Sequence, residues 1–205
     1  MNLAQRYLEL RQKINSEVTL LVVSKGRPLE ALQQLYEVGV RDFGENREKE
    51  ALLKMERLPS DINWHFIGTL QRKRVKKVAK HFQWIHSVDS LEIAKELSLH
   101  PPVSCLVQVN TSREVSKHGF TSADLLESYQ TLNRLLGERW KGLMTMAPLT
   151  NQWNEIRSCF RALRELKDQL KQELPILSMG MSRDYPIAIE EGATLIRIGR
   201  VLFDG

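Results

Sequence analysis

The sequence predicts an α/β protein: a single (β/α)8 TIM barrel with an extra N-terminal helix. Short β-rich runs alternate with stretches whose apolar residues recur at helical spacing. Eight such runs can be marked, at 18–24, 40–44, 62–67, 83–88, 103–109, 141–146, 175–179 and 194–198 of a 205-residue chain. Eight strands with helices between them in about 200 residues is the count of a small closed barrel. An open doubly wound sheet is the competing arrangement. The strand number favours closure, and no Gly-x-Gly-x-x-Gly follows the first strand, which argues against a dinucleotide site.

Taken in order, Leu3, Tyr7, Leu10 and Ile14 mark the leading amphipathic helix. The first strand carries Leu20-Leu21-Val22-Val23 without a polar break, as in a strand buried on both faces of a parallel sheet. Lys25 follows Ser24 at its end, Gly26-Arg27-Pro28 turns the chain, and Pro28 suits a first helical turn. Leu29, Leu32, Leu35 and Tyr36 then face one way until Gly39 closes the helix. Leu70, Val75, Val78 and Ala79 are helix-spaced within a basic run, Arg72, Lys73, Arg74, Lys76, Lys77 and Lys80, which reads as the outer face of a helix over 71–80. Asp89 with Glu92 reads as a capping box before Leu91, Ala94 and Leu97. The longest irregular piece, 110–121, follows the fifth strand, where a barrel carries functional loops. Thr121 or Ser122 opens a helix through Leu125, Leu132 and Leu136, stopped by Gly137. The longest helix shows Trp153, Ile156, Phe160, Leu163, Leu166 and Leu170, with Pro175 beyond it. No linker or repeat interrupts this pattern, so one domain spanning 1–205 is expected.

Hydrophobic residues at 42% and charged residues at 27% are the balance of a soluble globular chain. No apolar run approaches the ~20 residues of a membrane span, and the N-terminus lacks the apolar core of a secretion signal. Cys105 and Cys159 lie far apart among apolar neighbours, without metal or redox spacing. Two buried free thiols in a reducing compartment, the cytoplasm, are expected. The net charge of +5 owes much to the 72–80 run. Basicity can serve nucleic acid, a membrane surface or a small anion, but no aromatic interleaving or binding motif accompanies the run. A solvated face is the plainer reading. The five histidines, His65, His81, His86, His100 and His118, show no metal-ligand spacing, and a lone histidine on a strand, as His65 is, is more often a hydrogen-bonded core residue than a catalyst. There is no Gly-x-Ser-x-Gly elbow for serine hydrolysis.

Ligands of parallel α/β folds sit at the C-terminal strand ends, where Lys25 lies. On a rigid strand among apolar neighbours, a lysine can lose enough solvation to carry a neutral amine, as Schiff-base chemistry requires. A solvated charge closing the strand is the alternative. The seventh and eighth strands end in Ser178-Met179-Gly180-Met181-Ser182 and Arg197-Ile198-Gly199-Arg200. Barrels commonly hold a phosphate between these two loops. Gly180 and Gly199 would let the backbone approach it, and Ser182 offers a hydroxyl. Arg197 alternates with Ile196 and Ile198, so its charge is placed inside and needs a partner, either a structural carboxylate or a ligand atom at the barrel centre. Glu45, Asn46, His65, Ser87, Asp89, Asn110, Met144 and Met146 are further residues at or near strand ends that converge on this face.

Eight motifs occur in order: Val-Ser-Lys at 23–25, Phe-Gly-Glu-Asn at 43–46, Trp-His-Phe-Ile-Gly at 64–68, His-Ser-Val-Asp at 86–89, Gln-Val-Asn at 108–110, Ser-Lys-His-Gly at 116–119, Ser-Met-Gly-Met-Ser at 178–182 and Arg-Ile-Gly at 197–199. Across essentially its whole length the sequence resembles the pyridoxal-phosphate homeostasis protein family, also called the YggS or proline synthetase co-transcribed homologue family. Its members look like the barrel domain of bacterial alanine racemase without the β-rich C-terminal domain. The resemblance implies that pyridoxal 5'-phosphate (PLP) is the cofactor and that Lys25 is its Schiff-base lysine. It further implies that Arg197 faces the pyridine nitrogen, and that Ser182, Gly199 and Arg200 hold the phosphate. Asn46 and His65 would line the neighbourhood.

The resemblance also implies a protein that binds, buffers and passes on PLP to apo-enzymes transiently, without catalysis; a monomer with no nucleic-acid or membrane partner is expected. An arginine keeps its proton at neutral pH and cannot protonate the ring, and the second base that a racemase needs comes, in alanine racemase, from the missing domain. A minor PLP-dependent amino-acid racemase is the alternative, and a nucleic-acid- or protein-binding module using 71–80 a further one. Two departures stand out. Most members carry Thr or Ser where this chain has Arg200, and Gly-Pro-Leu-Gln-Ser-Asn-Lys where it has Gly68-Thr69-Leu70-Gln71-Arg72-Lys73-Arg74. Lys117, in the 110–121 loop, is a candidate second aldehyde acceptor, with a solvated loop lysine as the plainer reading.

Overall fold

Helix α1 (Leu3–Gln12) leads into strand β1 (Thr19–Val23) in the computed structural model, which describes residues 2–112, 114 and 118–204. Alternation follows: α2 (Leu29–Glu37), β2 (Asp42–Glu45), α3 (Glu48–Met55), β3 (Asn63–Phe66), α4 (Val75–His81), β4 (Trp84–Val88), α5 (Leu91–Ser98), β5 (Ser104–Gln108), α6 (Ser122–Leu136), β6 (Trp140–Met144), α7 (Trp153–Gln169), β7 (Ile176–Met181), α8 (Tyr185–Glu190), β8 (Leu195–Ile198) and α9 (Arg200–Phe203). Every strand pairs in parallel with the next, and β8 returns to β1 to close the barrel. The expected (β/α)8 architecture and its leading helix are both present.

Two residue sets fill the molecule. Outside the sheet, strand residues such as Leu20, Val22, Phe43, Ile85 and Val107 meet the apolar faces of the helices. From α7 these include Ile156, Phe160, Leu163 and Leu166, each buried, and a side chain so buried contributes roughly 1.5–3 kcal/mol. Inside the barrel, residues in register share a face: Leu21 with Arg197, Gly44 with His65, Met144 with Ser178. Branched apolar residues usually fill that space. Here His65, His86, Ser178 and Arg197 fill much of it and are buried.

Local signals were mostly where the sequence put them. Thr121 caps α6 in a capping box with Asp124, and Gly137, at φ +49°, ends it. Three expectations shift. Ser90 caps α5, its hydroxyl accepting the Ile93 N–H at 3.3 Å, because Asp89 is turned instead toward His118, 3.5 Å away. Pro28 sits just before α2 rather than in its first turn. The basic run opens as a 3-10 turn, Arg72–Arg74, before α4 buries Val75, Val78 and Ala79. Two of its charges are not merely solvated, since Arg72 pairs with Glu92 and Glu96, and Arg74 with Glu48.

Candidate functional site

Lys25 occupies the turn after β1. The Ser24 N–H continues the ladder to the Gly44 carbonyl at 3.0 Å, and the Arg27 N–H closes the turn on the Ser24 carbonyl at 3.0 Å. Gly26 takes φ +68°, a conformation that suits glycine. This leaves Lys25 exposed at the C-terminal mouth of the barrel, while its two neighbours are fixed. The Ser24 hydroxyl donates to Glu45 Oε1 at 2.7 Å, and the Gly26 N–H donates to Glu50 Oε1 at 2.5 Å. Lys54 Nζ donates to the Ser24 carbonyl at 2.8 Å, to Glu45 at 2.6 Å and to Glu50 at 2.8 Å. Glu45 therefore does not converge on the mouth: β alternation turns it outward against α3. Burial raises its carboxyl above the ordinary range, although the hydrogen bonds from Lys54 and Ser24 pull the other way.

The chain's far end meets this turn. Arg27 pairs with Asp204 at 2.6 Å and lies over the Phe203 ring at 4.7 Å. A Cβ on Gly199 would stand 3.4 Å from Val23 Cβ and 3.5 Å from its carbonyl oxygen, so the end of β8 lies against the end of β1. The Ser182 hydroxyl oxygen accepts the N–H groups of Gly199 at 3.3 Å and Val201 at 3.2 Å. Gly180 carries φ +89°, and a Cβ there would come 2.5 Å from Ala188 Cβ, so only glycine lets β7 turn this closely over α8. Behind it, Arg157, Arg161 and Arg164 of α7 converge on buried Glu191, at the end of α8. The structure thus gathers Ser182, Gly199 and the backbone of Arg200 beside the turn bearing Lys25. The Arg200 side chain is exposed.

Arg197, 4% exposed, enters the barrel interior from β8. Its Nη1 donates to the Ser178 carbonyl at 2.9 Å and to the Ser178 hydroxyl at 2.6 Å, and its Nη2 donates to the Thr145 carbonyl at 2.8 Å. No carboxylate pairs with it among these contacts; all three acceptors are neutral. Burial pulls its pKa down to about 10, with Asp184 acting the other way at a distance, so it remains charged at neutral pH. Three of a guanidinium's five N–H groups are accounted for by these bonds. Asn46 follows β2 at the same end of the barrel, and its Oδ1 is buried without a hydrogen-bond partner. Gly68 presses on it, since a Cβ there would lie 2.3 Å from the Asn46 carbonyl oxygen.

His65 is the hydrogen-bonded core residue that a lone strand histidine most often is. Its ring stands inside the barrel, below the strand ends. Nδ1 is 2.9 Å from His86 Nε2 and Nε2 is 3.2 Å from Asp42 Oδ1, so neither ring nitrogen is left for a ligand at the mouth. The cause is register: His65 pairs with Gly44, two residues before Asn46. Ser87 is buried, and its hydroxyl, like Asn46 Oδ1, has no hydrogen-bond partner. Lys117 and Ser116 lie outside the described residues. Sequence reasoning missed Thr145 and Ser178 as acceptors for Arg197, and Glu50 and Lys54 behind Lys25. Lys54 left a signal, a lysine at a helix position that would face the sheet. Among the described residues, no group of three or more His, Cys, Asp or Glu is placed to hold a metal ion. No helix of the described residues is long and apolar enough to cross a membrane.

Comparison with known proteins adds three findings. Residues 1–205 match the family model "Alanine racemase, N-terminal domain". The pyridoxal phosphate homeostasis protein of Pseudomonas aeruginosa is 44% identical over 192 residues, covering 91% of this chain and 84% of the relative. That of Schizosaccharomyces pombe is 39% identical, covering 95% and 87%. PipY of Synechococcus elongatus superposes with a TM-score of 0.92 at 39% identity in its form without PLP, over 98% of this chain and 100% of that one. With PLP bound, PipY superposes at 0.90 and 37% identity. Alanine racemase of Clostridium difficile shares the fold at a TM-score of 0.81 and 14% identity, with this chain matching 56% of its length.

Proposed function

The chain belongs to the pyridoxal phosphate homeostasis proteins, within the alanine racemase N-terminal domain family, and on that premise we propose how its barrel mouth serves PLP. The protein binds PLP and maintains its supply in the cell, holding it for release to apo-enzymes that bind transiently. The residues fit the group. Asn46 Oδ1 is an orphaned buried acceptor at the mouth, Gly199 leaves room where a side chain would fill the gap to Val23, and Ser182 gathers two backbone amides. When bound, PLP supplies an aldehyde that condenses with an amine, and a pyridine ring able to draw electron density. Lys25 provides the amine, held by the fixed positions of Ser24 and Gly26. Ser182, Gly199 and Arg200 receive the phosphate, with the exposed Arg200 side chain free to fold onto it as a charge-assisted contact.

The observation that carries this reading is Arg197, a permanent charge at the barrel centre whose hydrogen bonds go only to neutral oxygens. Arg197 would donate to the pyridine nitrogen without surrendering its proton. A carboxylate there would keep the ring protonated and strongly electron-withdrawing; arginine does not. The arrangement therefore holds the cofactor while giving little support to carbanion chemistry, which favours a binding protein over a racemase. We place the protein, as a monomer, in a reducing intracellular compartment, in keeping with two buried cysteines that form no disulfide. The decisive experiment is one absorbance spectrum of the purified protein with PLP. A visible band that borohydride bleaches and that Lys25→Ala abolishes supports the reading. A colourless protein rejects it, and turnover of D- or L-amino acids in a steady-state assay rejects the non-catalytic part.

A further inference from the structure

A single file of hydrogen bonds crosses the inside of the barrel. It begins at Arg197, whose Nη1 meets Ser178 Oγ at 2.6 Å. Ser178 Oγ stands 3.1 Å from His86 Nδ1, a contact between β7 and β4, which are not neighbours in the sheet and meet only across the interior. His86 Nε2 is 2.9 Å from His65 Nδ1, and His65 Nε2 is 3.2 Å from Asp42 Oδ1. Asp42 is the first residue of β2, so the file ends at the N-terminal face, opposite the mouth. Its carboxyl is 31% exposed, whereas the His65 side chain is 3% exposed.

The two ends decide where every proton sits. A guanidinium can only donate, and an ionised carboxylate can only accept. Arg197 takes one lone pair of the Ser178 hydroxyl, leaving its O–H to donate to His86 Nδ1. His86 then carries its proton on Nε2 and donates to His65 Nδ1, and His65 carries its proton on Nε2 and donates to Asp42. Burial holds both imidazoles below their ordinary pKa, which keeps each to one N–H. Burial tends to raise Asp42, but its bonds from His65 and Asn63 outweigh that and keep it an acceptor. The flat Trp84 ring, stacked parallel to His65 with centroids 5.6 Å apart, holds the imidazole in that plane. All the dipoles point the same way, so each link strengthens the next.

We propose that Asp42 is a positioning residue for Arg197, acting from the far side of the barrel through His65, His86 and Ser178. The file gives the buried guanidinium, which also feels Asp184 at a distance, a further link to a carboxylate and fixes which N–H groups point at the mouth. This extends the proposed PLP site, and rests on it only for the cofactor readout.

Two measurements test it. In the cofactor-free protein, nitrogen-15 NMR should report both His65 and His86 as neutral Nε2–H tautomers at pH 7. An Nδ1–H tautomer or a charged ring at either position overturns the file, whether or not PLP binds. In the PLP-loaded protein, Asp42→Leu should shift the visible band and weaken PLP about tenfold. Asp42→Asn, which keeps an acceptor oxygen, should recover most of that loss, a recovery no general loosening of the fold would give. Ser178→Ala cuts the file beside Arg197 and should reproduce the Asp42→Leu spectrum, and it serves alone should Asp42→Leu fail to fold. PLP affinity within twofold of wild type and an unmoved band in these variants would overturn the role for Asp42. Absence of a band in wild type would instead reject the PLP reading and leave the NMR result to judge the file.

Discussion

Lys54 and Glu45 form a 2.6 Å ion pair shut away from solvent, immediately behind the turn that carries Lys25. The three donors of Lys54 go to Glu45, Glu50 and the Ser24 carbonyl, so the amine is spent on structure. That leaves Lys25 as the amine proposed to react, on a turn whose neighbouring residues, Ser24 and Gly26, are tied down.

Removing one member of a buried pair leaves the other's charge uncompensated. Lys54→Met should therefore cost about 3–5 kcal/mol of stability, read from urea denaturation. Adding Glu45→Leu to that variant should restore most of the loss, because it removes the stranded charge. If the double variant is no more stable than the single one, the pair is not the unit described.

Arg197 should behave differently. It is a buried charge whose close acceptors are all neutral, and burial already pulls its pKa down to about 10. Arg197→Met removes that charge but strands the Ser178 and Thr145 acceptors, so stability should fall by about 1–3 kcal/mol, less than for Lys54→Met. PLP affinity should fall at least tenfold in the same protein. A thermal melt beside a PLP titration separates the two. Loss of stability without loss of affinity would make Arg197 a scaffold residue.

Gly180 gives a sharper steric test. An alanine would have to hold φ +89° and bring its Cβ within 2.5 Å of Ala188 Cβ and 3.0 Å of Tyr185 Cα. Gly180→Ala should cost about 2 kcal/mol or more, strain and overpacking together, and should move Ser182 off the Gly199 and Val201 amides. The affinity for PLP should drop more than that for pyridoxal, which lacks the phosphate. Equal losses for both would mean that the turn does not serve the phosphate.

The barrel was legible because its signal is repetitive: eight apolar runs, each separated from the next by room for a helix, leave little else for the chain to do. The mouth residues were legible through position, since Lys25, Ser182 and Gly199 follow directly on strand ends. What escaped depends on neighbours distant in sequence. His65 reads both as a core histidine and as a residue near the mouth, because position along a strand does not say what a ring meets; the contacts to His86 and Asp42, on two other strands, decide for the core. Glu45 and Asn46 are adjacent in sequence yet face opposite sides of the sheet, and only the register reveals which is which. Short α3 escaped for another reason. Of its eight residues, Glu48, Ala51 and Lys54 are buried, and two of these three are charged, so no apolar stripe announces it.

The buried imidazoles should also give the fold a pH limit. His65 and His86 are neutral in the native state, both held by burial below their ordinary 6.5, whereas the unfolded chain takes up protons near that value. Below pH 6.5 the unfolded state therefore binds more protons than the native one, and stability must fall with pH until each native pKa is reached. The limiting slope is about 1.4 kcal/mol per pH unit for each histidine. Asp42 acts in a separate, lower window: its lowered carboxyl stabilises the fold above its ordinary 3.8, and that contribution disappears as pH falls through its native value. Urea denaturation of the cofactor-free protein between pH 7.5 and 5 should show the histidine slope. His86→Gln, which cannot take up the proton in either state, should lose the larger part of it, since His86 is the more strongly lowered of the two. The comparison rests on the difference in slope between the two proteins, because the substitution also changes the level. Identical slopes would mean that His86 titrates as freely in the barrel as in water, which a ring sealed between Ser178 and His65 cannot do.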